Sequence, residues 1–150
     1  PQLFLGITFN YGLILGWVSI KNELEIIPII FYIGAIFWTL GYDTIYGYQD
    51  IKDDEIIGLK STSIKFKQNS HRFLTICYSI FILCTLMVGI LMNFNIEFFI
   101  LLLIPTSHLM FYQIKRFDIN SPNDCFKIFK SNNFFGFLIL INIFISKILI

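Results

Sequence analysis

Asp43-Thr-Ile-Tyr-Gly-Tyr-Gln-Asp50-Ile-Lys-Asp53-Asp54-Glu55, continuing through Gly58-Leu-Lys60-Ser-Thr-Ser63, is a charged island with apolar sequence on both sides. It carries five of the ten acidic residues of the chain. If the preceding apolar helix runs on through it, Asp43, Asp50 and Asp54 fall at i, i+7 and i+11 on one face, with Asp53 beside them. Carboxylates stacked in this way repel one another and raise one another's pKa values unless something positive lies between them. A divalent cation meets that need. Mg²⁺ takes oxygen ligands, usually one or two carboxylates together with phosphate oxygens of a substrate. The plainer alternative is a solvated acidic loop, and the position of the acids at the mouth of an apolar helix favours a site.

The flanking sequence sets the fold class. Apolar residues make up 56% of the 150 and charged residues 14%, where a soluble domain carries about 25% charge. This composition predicts an integral membrane protein. Five runs, at 3–20, 26–42, 73–96, 98–114 and 132–150, are long enough to cross a hydrocarbon layer of about 30 Å and almost free of charge. The expected fold is an all-α polytopic bundle of five spans forming one domain over 1–150. Gly6, Gly12 and Gly16 in the first span offer close approach to neighbouring helices. Pro28 falls in the first turns of the second, where proline is tolerated, and Pro105 predicts a kink in the fourth.

Charge placement orients the spans. Lys52, Lys60, Lys65, Lys67 and Arg72 sit in or beside the island, and Lys115, Arg116, Lys127 and Lys130 in a second polar loop. Five alternating spans put both basic loops on one side and Lys21 and Lys147 on the other. The positive-inside rule makes the basic side cytoplasmic. The island then faces the cytoplasm, and a bacterial inner membrane is the expected location, with the mitochondrial inner membrane as the alternative. The expected surroundings are a lipid bilayer, with no nucleic-acid partner. Cys77, Cys84 and Cys125 are scattered, with no CxxC, and read as small buried apolar residues.

The island also carries a resemblance. Tyr42-Asp43-Thr44, Asp50-x-x-Asp53-Asp54 and Ile57-Gly58-Leu59-Lys60-Ser61-Thr62 together resemble the second aspartate-rich motif of the UbiA superfamily of intramembrane prenyltransferases, most closely its 4-hydroxybenzoate branch in ubiquinone biosynthesis. Pro1-Gln2-x-x-Leu5-Gly6 and Cys125-Phe-Lys127-x-Phe129-x-x-Asn132-Asn133-x-x-Gly136 are similar to two further family segments. The resemblance implies Mg²⁺-dependent transfer of a polyprenyl group from its diphosphate to an aromatic acceptor such as 4-hydroxybenzoate. It implies Asp50 and Asp54 as the catalytic metal pair, Asp53 as a further metal contact, and Asp43 and Tyr46 as substrate contacts. Lys60 either neutralises diphosphate charge or anchors its loop at the lipid surface. Tyr46, Tyr48, Phe37 and Trp38 are aromatic candidates for shielding an allylic cation, and Asn132 and Asn133 are expected to cap or pack their helix. The family's first motif, NDxxDxxxD, is not found in this sequence, so the chain is expected to be the C-terminal half of a longer enzyme, inactive alone. Other acceptors (haem, a naphthoate, a homogentisate) or a non-enzymatic membrane remnant or cation-binding module are the alternative readings.

Overall fold

A computed structural model describes residues 1–148, so the last two positions of the predicted fifth span lie outside the described residues. Five helical stretches are long and apolar enough to cross a membrane: Gln2–Lys21, Ile26–Tyr46, Lys67–Leu91, Ile96–Ile114 and Pro122–Ile148. The chain is an all-helical integral membrane bundle, as its composition predicts. The first span is two helices, α1 (Gln2–Phe9) and α2 (Tyr11–Lys21), joined at Asn10. Within a bundle a bare amide at such a joint is costly, and the Asn10 amide donates to the Gly6 carbonyl at 2.8 Å and to the Thr39 hydroxyl at 2.7 Å. Most of this span is exposed, Phe4 and Ile20 among the most open side chains. That suits a lipid-facing surface.

The centre of the bundle is α3 (Ile26–Tyr46) against α6 (Ser70–Leu91). Small residues allow the backbones to approach, as membrane helices commonly require. A Cβ placed on Gly34 would lie 2.8 Å from the Cβ of Cys84, and one on Gly41 would meet the Tyr78 ring at 2.5 Å. The turns between spans use residues tolerant of positive φ: Asn22 ends α2 at φ 57° and Asn93 follows α6 at φ 53°. Asn is enriched in this left-handed region.

The fourth span begins as α7 (Ile96–Ser107), with Pro105 buried inside it, and continues as a π-helical segment, His108–Ile114. The predicted break is therefore a widening of the helix just beyond the proline. Pro105, Leu109 and Gln113 are all buried at four-residue intervals. In an α-helix each such step drifts by about 40°. The wider π turn absorbs that drift and keeps all three on the inner face. The second polar loop is also more ordered than expected. Its later half is an amphipathic helix, α8 (Pro122–Lys130), which buries Cys125 and Ile128 and leads through Ser131 into α9 (Asn132–Ile148).

Gly41→Val is expected to destabilise the protein by about 1–3 kcal/mol, because the added atoms drive α3 away from Tyr78. Gly12→Val, where an added Cβ meets open space, is the matched control. Thermal unfolding of the two variants in detergent checks the difference.

Candidate functional site

The island does not continue as a helix. α3 stops at Tyr46, and four residues, 47–50, turn the chain into α4 (Ile51–Ile57) and then α5 (Thr62–Lys65). The turn is closed by Gly47 N–H to Asp43 C=O at 2.9 Å and Gln49 N–H to Tyr46 C=O at 3.0 Å. The physical reason lies in the neighbouring apolar side chains. Turning here buries Tyr48 and Ile51 in the core, with the Tyr48 ring 5.3 Å from that of Phe117. The i, i+7, i+11 stack of Asp43, Asp50 and Asp54 is thereby corrected: Asp43 belongs to α3, and Asp50 and Asp54 to the start of α4. Asp53 and Asp54 occupy the first turn of α4, where the positive end of the helix favours carboxylates. Gly58, at φ 75°, ends α4, and Leu59 N–H closes back on Asp54 C=O at 3.0 Å.

A second set of bonds folds the island onto α3. Ser61 caps α5 by accepting from Ile64 N–H. The Thr44 hydroxyl donates to Leu40 C=O at 2.6 Å and lies 2.6 Å from the Thr62 hydroxyl. With its one proton committed to Leu40, Thr44 receives from Thr62. Ser63 donates to Thr44 C=O at 2.9 Å, and Gln2 from α1 accepts the Thr62 N–H at 3.1 Å. Gly47 serves this clamp: any Cβ there would collide with the Ser63 hydroxyl. The space left by Gly47 is thus taken by Ser63. Gln2 and Ser63 were missed because nothing local in the sequence pairs them with Thr62 and Thr44.

The site residues separate into two places. Asp50 and Asp53 line a pocket of about 620 Å³ at the membrane-surface end, together with Gln49, Lys52, Lys67 and Asn120. Lys67 lies in this pocket and is held by Glu55 at 2.6 Å. Asp54 is half-buried and does not line it. Among the described residues no group of three or more His, Cys, Asp or Glu side chains comes together as a metal cluster. The set Asp50, Asp53 and Asp54 is therefore not gathered by this chain into one three-carboxylate site. Lys60 is exposed between α4 and α5.

The second place is a cavity of about 430 Å³ lined by Phe9, Trp38, Tyr42, Phe129, Asn133 and Gly136, among others. Tyr46 is 39% exposed, with its ring 4.6 Å from Phe129, and Asp43 is half-buried beside Tyr42 in sequence. Of the aromatic candidates, Trp38 lines this cavity, Tyr48 faces the pocket of Asp50, and Phe37 packs against the core. Asn132 packs, as expected, accepting from Trp38 Nε1 at 2.9 Å. Asn133 is exposed at the cavity wall.

Residues 1–141 match the model of the UbiA prenyltransferase family. A mitochondrial 4-hydroxybenzoate polyprenyltransferase of Bos taurus is 39% identical over 152 residues, an alignment covering 99% of this chain and 40% of that protein. The Homo sapiens protein of the same description is 38% identical with the same coverage. A 4-hydroxybenzoate geranyltransferase 2 of Lithospermum erythrorhizon is 36% identical over 151 residues, covering 99% of this chain and 48% of that protein. The chain thus spans less than half the length of these relatives. No solved structure matches it.

Two outcomes follow from this geometry. Gly47→Val is expected to expel Ser63 and speed amide hydrogen exchange across 48–65 by about tenfold or more, the loss of one buried contact set. Burial pushes the Tyr48 hydroxyl from 10.0 up to about 12, with the nearby Ser70 hydroxyl offsetting part of the shift. The folded state then keeps a proton that the unfolded chain gives up. The stability due to this group is full below pH 10 and is lost as the pH rises towards 12. In alkaline melts followed by circular dichroism, Tyr48→Phe is expected to remove that part of the slope.

Proposed function

This chain belongs to the UbiA prenyltransferase family, and from that membership we propose that the native protein transfers a polyprenyl group from its diphosphate to a ring carbon of 4-hydroxybenzoate. The observation that carries the proposal is identity of 34–39% to relatives named for 4-hydroxybenzoate, extending over 99% of this chain. Relatives named as mitochondrial also favour a mitochondrial membrane over the bacterial cell membrane expected from sequence.

The geometry divides the work in two. Asp50 and Asp53 present two carboxylates to one pocket, with Lys52 and Lys67 beside them. That donor set fits Mg²⁺, which is ordinarily held by one or two carboxylates while phosphate oxygens complete its shell. When bound there, the ion would supply positive charge to the departing diphosphate. Lys67, tied to Glu55, and Lys52 would add further positive charge on the same face. A diphosphate leaves with the electron pair of its C–O bond, so stabilising those oxygens favours ionisation. Tyr42 and Trp38, which line the second cavity, then offer aromatic faces to the allylic carbon. Asp54 is proposed to support Asp50 from α4. Asp43, Tyr46 and Lys60 are proposed to contact the donor: Tyr46 rests on Phe129 of the cavity wall, and Lys60 directly precedes the clamp.

The test is transfer from polyprenyl diphosphate to 4-hydroxybenzoate by the native protein in its membrane. Asp50→Asn and Asp53→Asn are each expected to lower the rate by about 100-fold, and Asp54→Asn by less. Chelation of Mg²⁺ is expected to abolish transfer and its restoration to recover it. Undiminished transfer in both Asp50→Asn and Asp53→Asn would reject the assignment of the pocket.

A further inference from the structure

A chain of side-chain hydrogen bonds crosses the interior of the bundle. The Tyr78 hydroxyl of α6 donates to Gln113 Oε1 at 2.5 Å. Gln113, in the π-helical segment, donates from Nε2 to Asn132 Oδ1 of α9 at 3.0 Å. The same oxygen accepts Trp38 Nε1 of α3 at 2.9 Å. Asn132 Nδ2 turns back to the carbonyls of Ile128 and Phe129. Tyr78 and Gln113 are fully buried and Asn132 is 7% exposed. The orientation of every amide is dictated by its neighbours: turning Asn132 over would point its NH₂ at two donors. In an apolar bundle a broken link leaves a buried polar group without its partner, so the links reinforce one another.

The chain ends on the ring of Trp38, and that ring stands in a special place. On one side it lines the 430 Å³ cavity with Tyr42 and Phe129; on the other it lines a smaller cavity of about 120 Å³ with Asn10, Phe31 and Phe81. Tyr42 lies edge-on at 5.3 Å, and Phe135 is at 5.1 Å. Tyr42, Phe81 and Phe135 pack around the indole, and the Nε1–H bond to Asn132 adds a directional contact that specifies its orientation.

We propose that Asn132, held by Gln113 and Tyr78, is a positioning residue that fixes the Trp38 ring as the partition between these two cavities, and so sets how often the prenyl cation is captured by the aromatic acceptor instead of water. This rests on the function proposed above for its catalytic consequence, but the positioning of Trp38 does not. The two fates differ only in which atom supplies the electron pair to the allylic carbon. A ring carbon gives the prenylated acceptor after losing its proton, and a water oxygen gives the prenyl alcohol after losing one; diphosphate is released in both.

The experiment measures prenyl alcohol against prenylated 4-hydroxybenzoate in membranes carrying the native protein. Asn132→Leu is expected to raise the alcohol share by roughly fivefold or more, the effect of one lost buried hydrogen bond. Tyr78→Phe, remote from both cavities, is expected to shift the ratio the same way by a smaller factor. In a Trp38→Phe background Asn132→Leu is expected to add nothing, because its effect passes through the indole N–H. An equal effect of Asn132→Leu in both backgrounds would overturn the proposal. A readout independent of activity is Trp38 fluorescence in protein whose other tryptophans, Trp17 among them, are replaced by phenylalanine. Asn132→Leu is expected to change the emission maximum and increase acrylamide quenching. Unchanged emission in Asn132→Leu sinks the positioning role even where transfer is observed. Changed emission with no transfer by the unmodified protein refutes the proposed function and leaves the positioning of Trp38 standing.

Discussion

The ring of Tyr78 lies where Gly41 has no side chain, and the rest of the bundle depends on that contact. It brings α3 and α6 close enough for Phe81 and Trp38 to touch, and it puts the Tyr78 hydroxyl within reach of Gln113. Apolar side chains alone do not hold membrane helices in register, since lipid tails solvate them as well as other helices do. Register here comes from two sources that both need the close approach: small residues at Gly34 and Gly41, and polar groups that have only one another as partners. The same logic recurs at the first span, where Asn10 ties α1–α2 to Thr39.

At the membrane surface a different balance operates. An acidic helix running straight out from α3 would stack its carboxylates on one face and leave Tyr48 without a buried surface to cover. The chain turns at Gly47, buries Tyr48 and Ile51, and sends Asp50 and Asp53 to one pocket. Hydrophobic burial of an aromatic ring, worth about 1.5–3 kcal/mol, outweighs a few more turns of exposed helix. The clamp of Thr44, Thr62 and Ser63 then fixes the turn from the other side. In this arrangement the Ser-Thr part of the motif is structural support for the acidic part, with Ser61 as a helix cap and Thr62 bound to the end of α3.

The spans and their number were legible in the sequence because each depends on composition over some twenty residues. Hydrophobicity summed over such a length is insensitive to details of packing. The aspartates were legible as a group and by their similarity to a family motif, and family membership follows from the same residues. Their geometry was not legible. Helical spacing places Asp54 with Asp50, whereas the turn at 47–50 leaves Asp53 as the residue that shares the pocket with Asp50. The place of Lys67 in the pocket was not legible either, since it depends on Glu55, twelve positions earlier and one helix away.

By itself, then, the sequence determined a five-span helical membrane protein of the UbiA family with an acidic island at one surface, since these rest on hydrophobic length, charge placement and a contiguous motif. The tertiary structure alone decided where the helix breaks, which two acidic residues line one pocket, and that Gly47 makes room for Ser63. It alone joined Tyr78, Gln113, Asn132 and Trp38 into one chain, from positions as far as 94 residues apart. Such pairings are set by which polar groups find partners when helices close on one another, and that is a property of the packed bundle that no local stretch of residues encodes.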